Sequence, residues 1–359
     1  RMAEIISPPK KVKITFSVEP AYNVIASLSL LGMADAFSGL HEWVYRTAKA
    51  LPPGQRQANR LVLLDSHVHL GDKTWPSFPE WVDDLAARNP TAMRDDVLQA
   101  LLAQAGNMVD GQIYSPAELL ADRKAYLALR ESMGHYDEDD RPVWEEMYTL
   151  LKGPPALQSL VATHLRTMWD DFMADEWRLN LPVLEDSVAA FQSLRLTDIS
   201  AADAVQRVIL RDHIPDEGLH WLSEVDHIIF IPSVHAGPYL LRLGGLSEGT
   251  ARLVFGARTP EGVPVRAPAL TRSELLMRLN ALADVSRLRI MQLLGDRGEL
   301  GTPAVREILE LSQSAAARHL EHLTATGYLI QRRQKGVNLY QLNRDRIDHT
   351  FKSLKEFCG

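Results

Sequence analysis

Apolar residues recur at spacings of three and four along most of the first 265 residues, and this period predicts amphipathic helices. The pattern is clearest in residues 28–34, 97–102, 119–129, 157–165 and 183–194. A further helix is expected to end at Ile209 and to begin at Ser200 or Asp203, either of which can cap it. The N-terminal part of the chain is therefore predicted to be mostly helical.

Three short segments of this part predict strands instead. Val12, Ile14 and Phe16 alternate with polar residues, while residues 228–231 and 253–255 are short β-branched or aromatic runs. We expect the first strand to pair with the last two, which adds a small β-sheet to the helical region.

Residues 271–359 carry an ordered pattern of helices followed by a β-ribbon. Helices are predicted over residues 273–282, 285–294, 302–309 and 312–325, and a hairpin over residues 328–333 and 337–342. Asp284 and Ser312 precede two of these helices and can cap them, because their side-chain oxygens accept a free backbone N–H. Apolar residues of these two helices are expected to be buried, namely Leu288, Ile290, Met291, Leu294, Ala316, Leu320 and Leu323. This order predicts a winged helix-turn-helix, and the fold class as a whole is mainly α.

The charge balance changes sign near the point where the composition changes. Residues 271–359 carry 14 Lys/Arg and 10 Asp/Glu, a balance of +4, whereas the preceding 270 residues carry 25 and 36, a balance of −11. Residues 256–269 contain three prolines and have no helical period, which is typical of a linker. We predict an N-terminal domain over residues 2–264, a linker over 265–270 and a DNA-binding domain over 271–359, because only the basic end suits a polyanion.

Several classes of protein are excluded by composition. The single cysteine, Cys358, rules out an intramolecular disulfide and a Cys-rich zinc module, which favours a reducing cytoplasm. No apolar stretch reaches the ~18–20 residues of a membrane-spanning helix. Residues 2–5 also lack the basic head and apolar run of a signal peptide.

Three motifs of the C-terminal domain resemble the ArsR/SmtB family of bacterial winged-helix transcriptional regulators. They are ALADVSRLRIMQLL, LSQSAAARHLEHLTATGYL and RRQKGVNLYQL, in the order of that family and near its spacing. The resemblance implies a homodimer that binds a near-palindromic operator, usually as a repressor that a ligand releases. The region before Arg266 resembles, more loosely, the long N-terminal domain fused to some actinobacterial-type members, which brings no known chemistry.

The helix predicted to begin after Ser312 has the residues expected of a recognition helix. Gln313 can bond adenine in a bidentate manner, and Arg318 can bond guanine or a phosphate. Hydroxyl groups near a helix N-terminus suit a phosphate, and basic residues on the wing can reach the backbone or the minor groove. The predicted DNA-binding residues are Ser312, Gln313, Ser314, Ala315, Ala317, Arg318, His319, Arg332, Arg333, Lys335 and Asn338. His319 lies beside the buried face, so packing is the alternative role for that residue.

The sequence departs from the family at several positions. Ala315 and Ala317 stand where many members have hydroxyl residues, so recognition would depend more on Gln313, Arg318 and the wing. The helix over residues 302–309 contains no Cys or His, and His349 lacks the spaced second histidine of the zinc-sensing version. No metal or cofactor is therefore predicted. A winged helix that contacts another protein is the alternative to DNA binding.

A second motif, LVLLDSHVHLGD, favours a different function. Asp65, His67 and His69 follow an apolar run as they do in amidohydrolases, where alternate histidines of a strand bind a metal that activates water. The parent fold is a barrel of alternating strands and helices, whereas residues 77–210 have a helical period. A metal-dependent hydrolase with a regulatory tail is thus the alternative hypothesis, and a loop or helix end is the simpler explanation.

All seven tryptophans precede the linker (Trp43, Trp75, Trp81, Trp144, Trp169, Trp177 and Trp221). Aromatic-lined helical pockets hold apolar molecules, so a small apolar ligand is one expectation for the N-terminal domain. A tryptophan-rich core, or a scaffold for dimerisation without a ligand, are the alternatives.

Overall fold

The protein is mainly α-helical with small β-sheets. A computed structural model describes residues 11–65, 69–71, 73–104, 108–109, 112–133, 140–194, 196, 199–209, 220–247, 249–260, 268–334 and 336–358. The helices are α1 (Pro20–Gly32), α2 (Glu42–Ala50), α3 (Pro53–Asp65), α4 (Phe78–Ala87), α5 (Pro90–Gln104), α6 (Pro116–Ala121), α7 (Arg123–Ser132), α8 (Arg141–Lys152), α9 (Pro154–Met168), α10 (Ala174–Gln192), α11 (Ala201–Ile209), α12 (Pro268–Leu282), α13 (Val285–Arg297), α14 (Thr302–Leu309), α15 (Gln313–Ala325) and α16 (Arg344–Cys358). The strands are β1 (Lys13–Phe16), β2 (Met108–Val109), β3 (Gln112–Ile113), β4 (His227–Ser233), β5 (Leu240–Ser247), β6 (Thr250–Gly256), β7 (Leu300–Gly301), β8 (Leu329–Gln334) and β9 (Val337–Leu342). Within these ranges no helix combines the length and the apolar character that a membrane span requires.

A four-stranded sheet forms the centre of the N-terminal region, in the order β1-β4-β6-β5. Strands β1, β4 and β6 run parallel, and β5 pairs antiparallel with β6 at the edge. The three strands predicted from the sequence are confirmed, although β1 pairs with β4 and not with β6. Strand β5 was not predicted, because glycines at 244 and 245 interrupt its apolar run and remove the alternation.

Alternate residues of the central strand β4 face two different helical layers. Phe230 packs with Phe16 and with Phe191 of α10, and the ring centroids of Phe16 and Phe191 lie 5.1 Å apart. Ile229 and Ile231 point the other way, into a larger core shared with α1, α4, α5 and α9. The alternation of side chains along a strand thus places the sheet between two layers of helices.

The C-terminal residues build a separate hydrophobic core. Its buried members come from α12 to α15 and from the sheet β7-β9-β8, and they include Ile290, Leu294, Leu320, Leu323 and Tyr328. The Asp284 carboxylate accepts a hydrogen bond from the Arg287 backbone N–H at 2.9 Å, which confirms the predicted N-cap of α13. Helix α13, the short strand β7, helices α14 and α15 and the ribbon of β8 and β9 follow one another in the order of a winged helix-turn-helix.

Some boundaries and exposures in this region differ from those predicted. Helix α13 continues through Gly295 to Arg297, and Leu288 is 50% exposed rather than buried. Helix α12 begins at Pro268, inside the predicted linker, because proline is tolerated in the first turn of a helix. The start of the proline-rich segment 256–269 is packed as well, since the buried Arg258 donates its backbone N–H to Ser187 Oγ at 3.2 Å.

Candidate nucleic-acid interface

Helix α15 presents its N-terminal half to solvent. The Ser312 hydroxyl accepts a hydrogen bond from the Ala315 backbone N–H at 3.2 Å, which confirms the predicted cap. Gln313, Ser314, Ala317 and Arg318 are exposed, and Ala315 is half-buried. Ala316, Leu320 and Leu323 are fully buried in the C-terminal core, as the sequence predicts. The 3.6-residue period of the helix therefore collects the predicted base-contacting side chains on one open face.

The wing contributes basic residues beside this face, and Arg332 is paired with a carboxylate. The guanidinium of Arg332 donates two hydrogen bonds to the Glu299 carboxylate. Arg333 is exposed near the end of β8, opposite the half-buried Asn338 of β9. Lys335 lies outside the described residues. The pair between Arg332 and Glu299, which are 33 residues apart, has no signal in the sequence and reduces the positive charge that the wing offers.

The C-terminal half of α15 is buried, and this changes the role expected for His319. His319 is only 7% exposed, and its Nδ1 atom lies 3.9 Å from the Asp284 carboxylate. Burial lowers the pKa of the ring, although the nearby Asp284 opposes that shift. His319 therefore lies in the packing between α15 and the start of α13, off the exposed face, and corresponds to the alternative role stated above.

The loop between α1 and α2 covers this end of α15. Arg318 Nη1 donates to the backbone carbonyl of Asp35 at 3.4 Å. His322, which is 1% exposed, lies directly over Gly39 of the same loop. A Cβ atom at Gly39 would come closer than 3.0 Å to the His322 ring, so only glycine fits there. The loop lies against the side of α15, while Gln313 and Ser314 remain uncovered.

Three glycines in van der Waals contact connect the central sheet to this loop. Gly256, at the end of β6, lies against the carbonyl of Gly237, and Gly237 lies against the carbonyl of Gly39. A Cβ atom at Gly237 or Gly256 would approach backbone atoms more closely than 3.0 Å, and Gly237 also has a φ of +56°. We call Gly256, Gly237 and Gly39 the glycine stack. It places the backbone of β6, the loop and His322 of α15 in one continuous line of contacts.

The histidine motif of the alternative hydrolase hypothesis lies at a helix end. The apolar run before it belongs to α3, which continues to Asp65. Buried His69 follows in a short helical turn, and its carbonyl accepts hydrogen bonds from Trp81 Nε1 and Arg88 Nη1. His67 lies outside the described residues. The strand that presents alternate histidines in amidohydrolases is thus replaced by a helix up to Asp65.

A cavity of about 320 Å³ lies between the N-terminal region and α12. His41, Asn180 and Val234 line it on one side, and Leu276 and Met277 of α12 line it on the other. The tryptophans do not: Trp43, Trp81 and Trp144 are buried, and the other four are half-buried elsewhere. Among the described residues, no tryptophan contributes to the lining of this cavity, and the buried tryptophans belong to the packing of the N-terminal region.

The sequence prediction missed one group of residues next to this cavity. His41, Glu176 and His235 come together from three separate elements, and nothing in their spacing along the chain indicates this.

Comparison of the chain with protein-family models, with curated proteins and with solved structures gives no match.

Proposed function

We propose that this protein is a sequence-specific DNA-binding transcriptional regulator of the ArsR type, acting as a homodimeric repressor in the cytoplasm. The observation that carries the proposal is the open face of α15, where Gln313, Ser314 and Arg318 are exposed beside the basic wing. An α-helix fits the major groove of B-DNA, where each base pair has a distinct pattern of donors and acceptors. A face that served as a protein interface would more often be apolar, as the centres of such interfaces are.

Contact of the wing with DNA requires a change at Arg332. Its guanidinium binds the Glu299 carboxylate, and phosphate oxygens can take over the same bidentate hydrogen bonds. The Arg332 side chain is half-exposed in this pair, so replacing Glu299 by a phosphate does not require a buried arginine charge to become exposed. Arg332 would therefore contribute after Glu299 has been displaced, and the exposed Arg333 is the second basic residue of β8 that the wing offers.

A homodimer would present two recognition helices to successive turns of the duplex, about 34 Å apart. Leu276 of α12 and Phe351 and Phe357 of α16 are exposed to between 47% and 55%. Helices α12 and α16 are neighbours, and Arg278 Nη1 lies 2.9 Å from His349 Nδ1 between them. Exposed apolar residues on two adjacent helices support a second copy of the chain as their partner. The N-terminal region would then sense a ligand or extend this dimer.

Replacing Gln313 with alanine is expected to weaken binding only at preferred sequences. A bidentate contact with a base contributes about 1–3 kcal/mol of discrimination, and its loss leaves the phosphate contacts intact. The measurement is selection of duplexes from a random pool by the purified protein, followed by titration of selected and scrambled duplexes. The variant should bind the selected duplex about 5- to 150-fold more weakly, and scrambled duplex as before.

Replacing Arg333 with alanine is expected to weaken binding to every duplex. The plot of log affinity against log salt concentration has a negative slope, and each lost phosphate contact reduces the magnitude of that slope by about 0.9. Lys124→Ala is the matched control, because it removes an exposed positive charge from α7 in the N-terminal region. An unchanged slope in Arg333→Ala, or a protein that prefers no duplex over random competitor at low salt, would contradict the proposal.

A further inference from the structure

Three side chains that commonly bind metals meet beside the cavity at α12. His41 is the N-cap residue of α2, Glu176 lies in the first turn of α10, and His235 follows β4. One ligand atom from each lies within 4.8 Å of the other two. The π-helical turn Trp169–Met173 directly precedes α10, and π-helical turns are frequent at functional sites.

The contacts of His235 allow a tautomer in which the Nε2 lone pair faces a carboxylate. The Ser27 hydroxyl donates to the Asn23 carbonyl at 2.9 Å, so its oxygen is able to accept a proton from His235 Nδ1 at their 2.8 Å contact. The other nitrogen of a neutral ring, Nε2, is then an acceptor. It lies 3.2 Å from Glu176 Oε1, which is also an acceptor when ionised. A proton on Nε2 makes this contact a hydrogen bond, and in the other tautomer a metal ion between the two atoms satisfies both of them.

The distance between these atoms suits a metal centre. Tetrahedral zinc with bonds of 2.0–2.1 Å separates its ligand atoms by about 3.3 Å, close to the spacing of His235 Nε2 and Glu176 Oε1. Ser27 holds the ring from its far side, and Trp43 stacks on it with centroids 4.5 Å apart. Asn180 Nδ2 donates to Glu176 Oε1 at 2.9 Å. Such supporting contacts orient metal ligands in known sites.

His41 completes the set from the exposed side. Its Nδ1 atom accepts a long hydrogen bond of 3.3 Å from the Trp43 backbone N–H. A metal bound at Nδ1 uses the lone pair that accepts from Trp43, and a metal bound at Nε2 leaves the ring proton on Nδ1. In both cases the hydrogen bond from the Trp43 backbone N–H is lost. The stability lost with such a cap is small beside the binding energy of a zinc site.

We propose that His41, Glu176 and His235 bind one divalent transition metal of the zinc class, with a fourth coordination position open to the cavity. Two histidines and one glutamate are a known zinc ligand set with an open position, and imidazole nitrogen selects such metals over Mg²⁺ and Ca²⁺. Of the three ligands, His41 lines the cavity, and Leu276 and Met277 of α12 line its other side. An exogenous donor bound there would contact both the N-terminal region and the winged helix-turn-helix.

The test is titration of the full-length, chelator-treated protein with Co²⁺ and Zn²⁺, without DNA. We expect one Co²⁺ per chain, the visible absorption of a tetrahedral centre, and displacement by one equivalent of Zn²⁺. Glu176→Gln keeps the shape of the side chain but removes its charge and should weaken Zn²⁺ binding at least 100-fold. Glu185→Gln is the matched control, since Glu185 is exposed on the same helix, and it should bind like the parent protein.

His41→Ala covers the case in which Glu176→Gln does not fold, because His41 is exposed and contributes little to the core. Thermal unfolding without metal establishes that each variant is folded. A folded parent protein that binds neither ion overturns the proposal. Stoichiometric binding that His41→Ala and Glu176→Gln leave equally tight overturns the placement of the site. Since DNA is absent, neither result depends on the proposed regulatory function.

Discussion

Replacing Gly237 with alanine is expected to lower the free energy of unfolding by about 2–5 kcal/mol. Two costs add: about 1–2 kcal/mol for a non-glycine residue at a φ of +56°, and about 1–3 kcal/mol for overpacking. The new methyl group would meet the Gly39 carbonyl, and the Gly237 carbonyl is itself packed against Gly256. Because backbone lies on both sides, the collision cannot be relieved by rotating a side chain.

Gly244→Ala separates the two costs and is the matched control. Gly244 also has a positive φ, of +76°, but no atom would lie within 4 Å of a Cβ there. Urea unfolding of both variants should give a loss of about 1–2 kcal/mol for Gly244→Ala and a clearly larger one for Gly237→Ala. Equal losses would mean that the glycine stack is not tightly packed.

Acidification from pH 8 to pH 5 is expected to cost the folded protein about 4 kcal/mol through two buried histidines. Burial lowers the pKa of His322 to about 3, with the nearby Arg287 as the next cause, and lowers the pKa of His164 to about 4. Both values lie below the ordinary 6.5. As pH falls through 6.5 the unfolded chain takes up these protons while the folded protein does not, so stability falls. Each histidine contributes about 2 kcal/mol by pH 5.

Each contribution can be measured by comparing urea unfolding at the two pH values in His322→Leu and His164→Leu. The difference between pH values cancels any effect of the substitution that does not depend on pH. Each variant should lose about 2 kcal/mol less than the parent protein on acidification. His322 has no hydrogen-bond partner for either ring nitrogen among the described residues, whereas His164 Nε2 lies 3.2 Å from Asn59 Oδ1. If His322→Leu lost as much stability on acidification as the parent protein, the pKa of His322 would not be lowered in the folded state. A proton acceptor would then have to lie beside that ring.

The elements of the winged helix-turn-helix could be predicted because their determinants are local. Ser312 caps α15 through a residue three positions away, and the apolar period of that helix fixes its buried side. Gly327 and Gly336 both have positive φ and separate the predicted helix and strands at the right places. The prediction ended α13 at residue 294, before Gly295, but the helix continues to Arg297, because a glycine inside a helix costs only about 1 kcal/mol and packing can offset it.

The contacts between distant parts of the chain could not be predicted in the same way. The burial of His319 depends on how α13 and the α1–α2 loop pack against α15, and no period of α15 alone contains that information. The group of His41, Glu176 and His235 requires the sheet and two helices to be in place. Leu288 belongs to an apolar period and is still half-exposed, which places it on a surface that another chain could cover.

The pairing of β1 with β4 has a consequence for the order of assembly during synthesis. Lys13 pairs with His227, which is 214 residues later in the chain. At about 5–20 residues per second, a ribosome delivers β4 on the order of 10–40 s after β1. Strand β1, which contains apolar residues, therefore lacks its partner β4 while the intervening helices emerge from the ribosome. The C-terminal domain is synthesised after all three parallel strands, so it can dock on a nascent chain in which those strands are already joined.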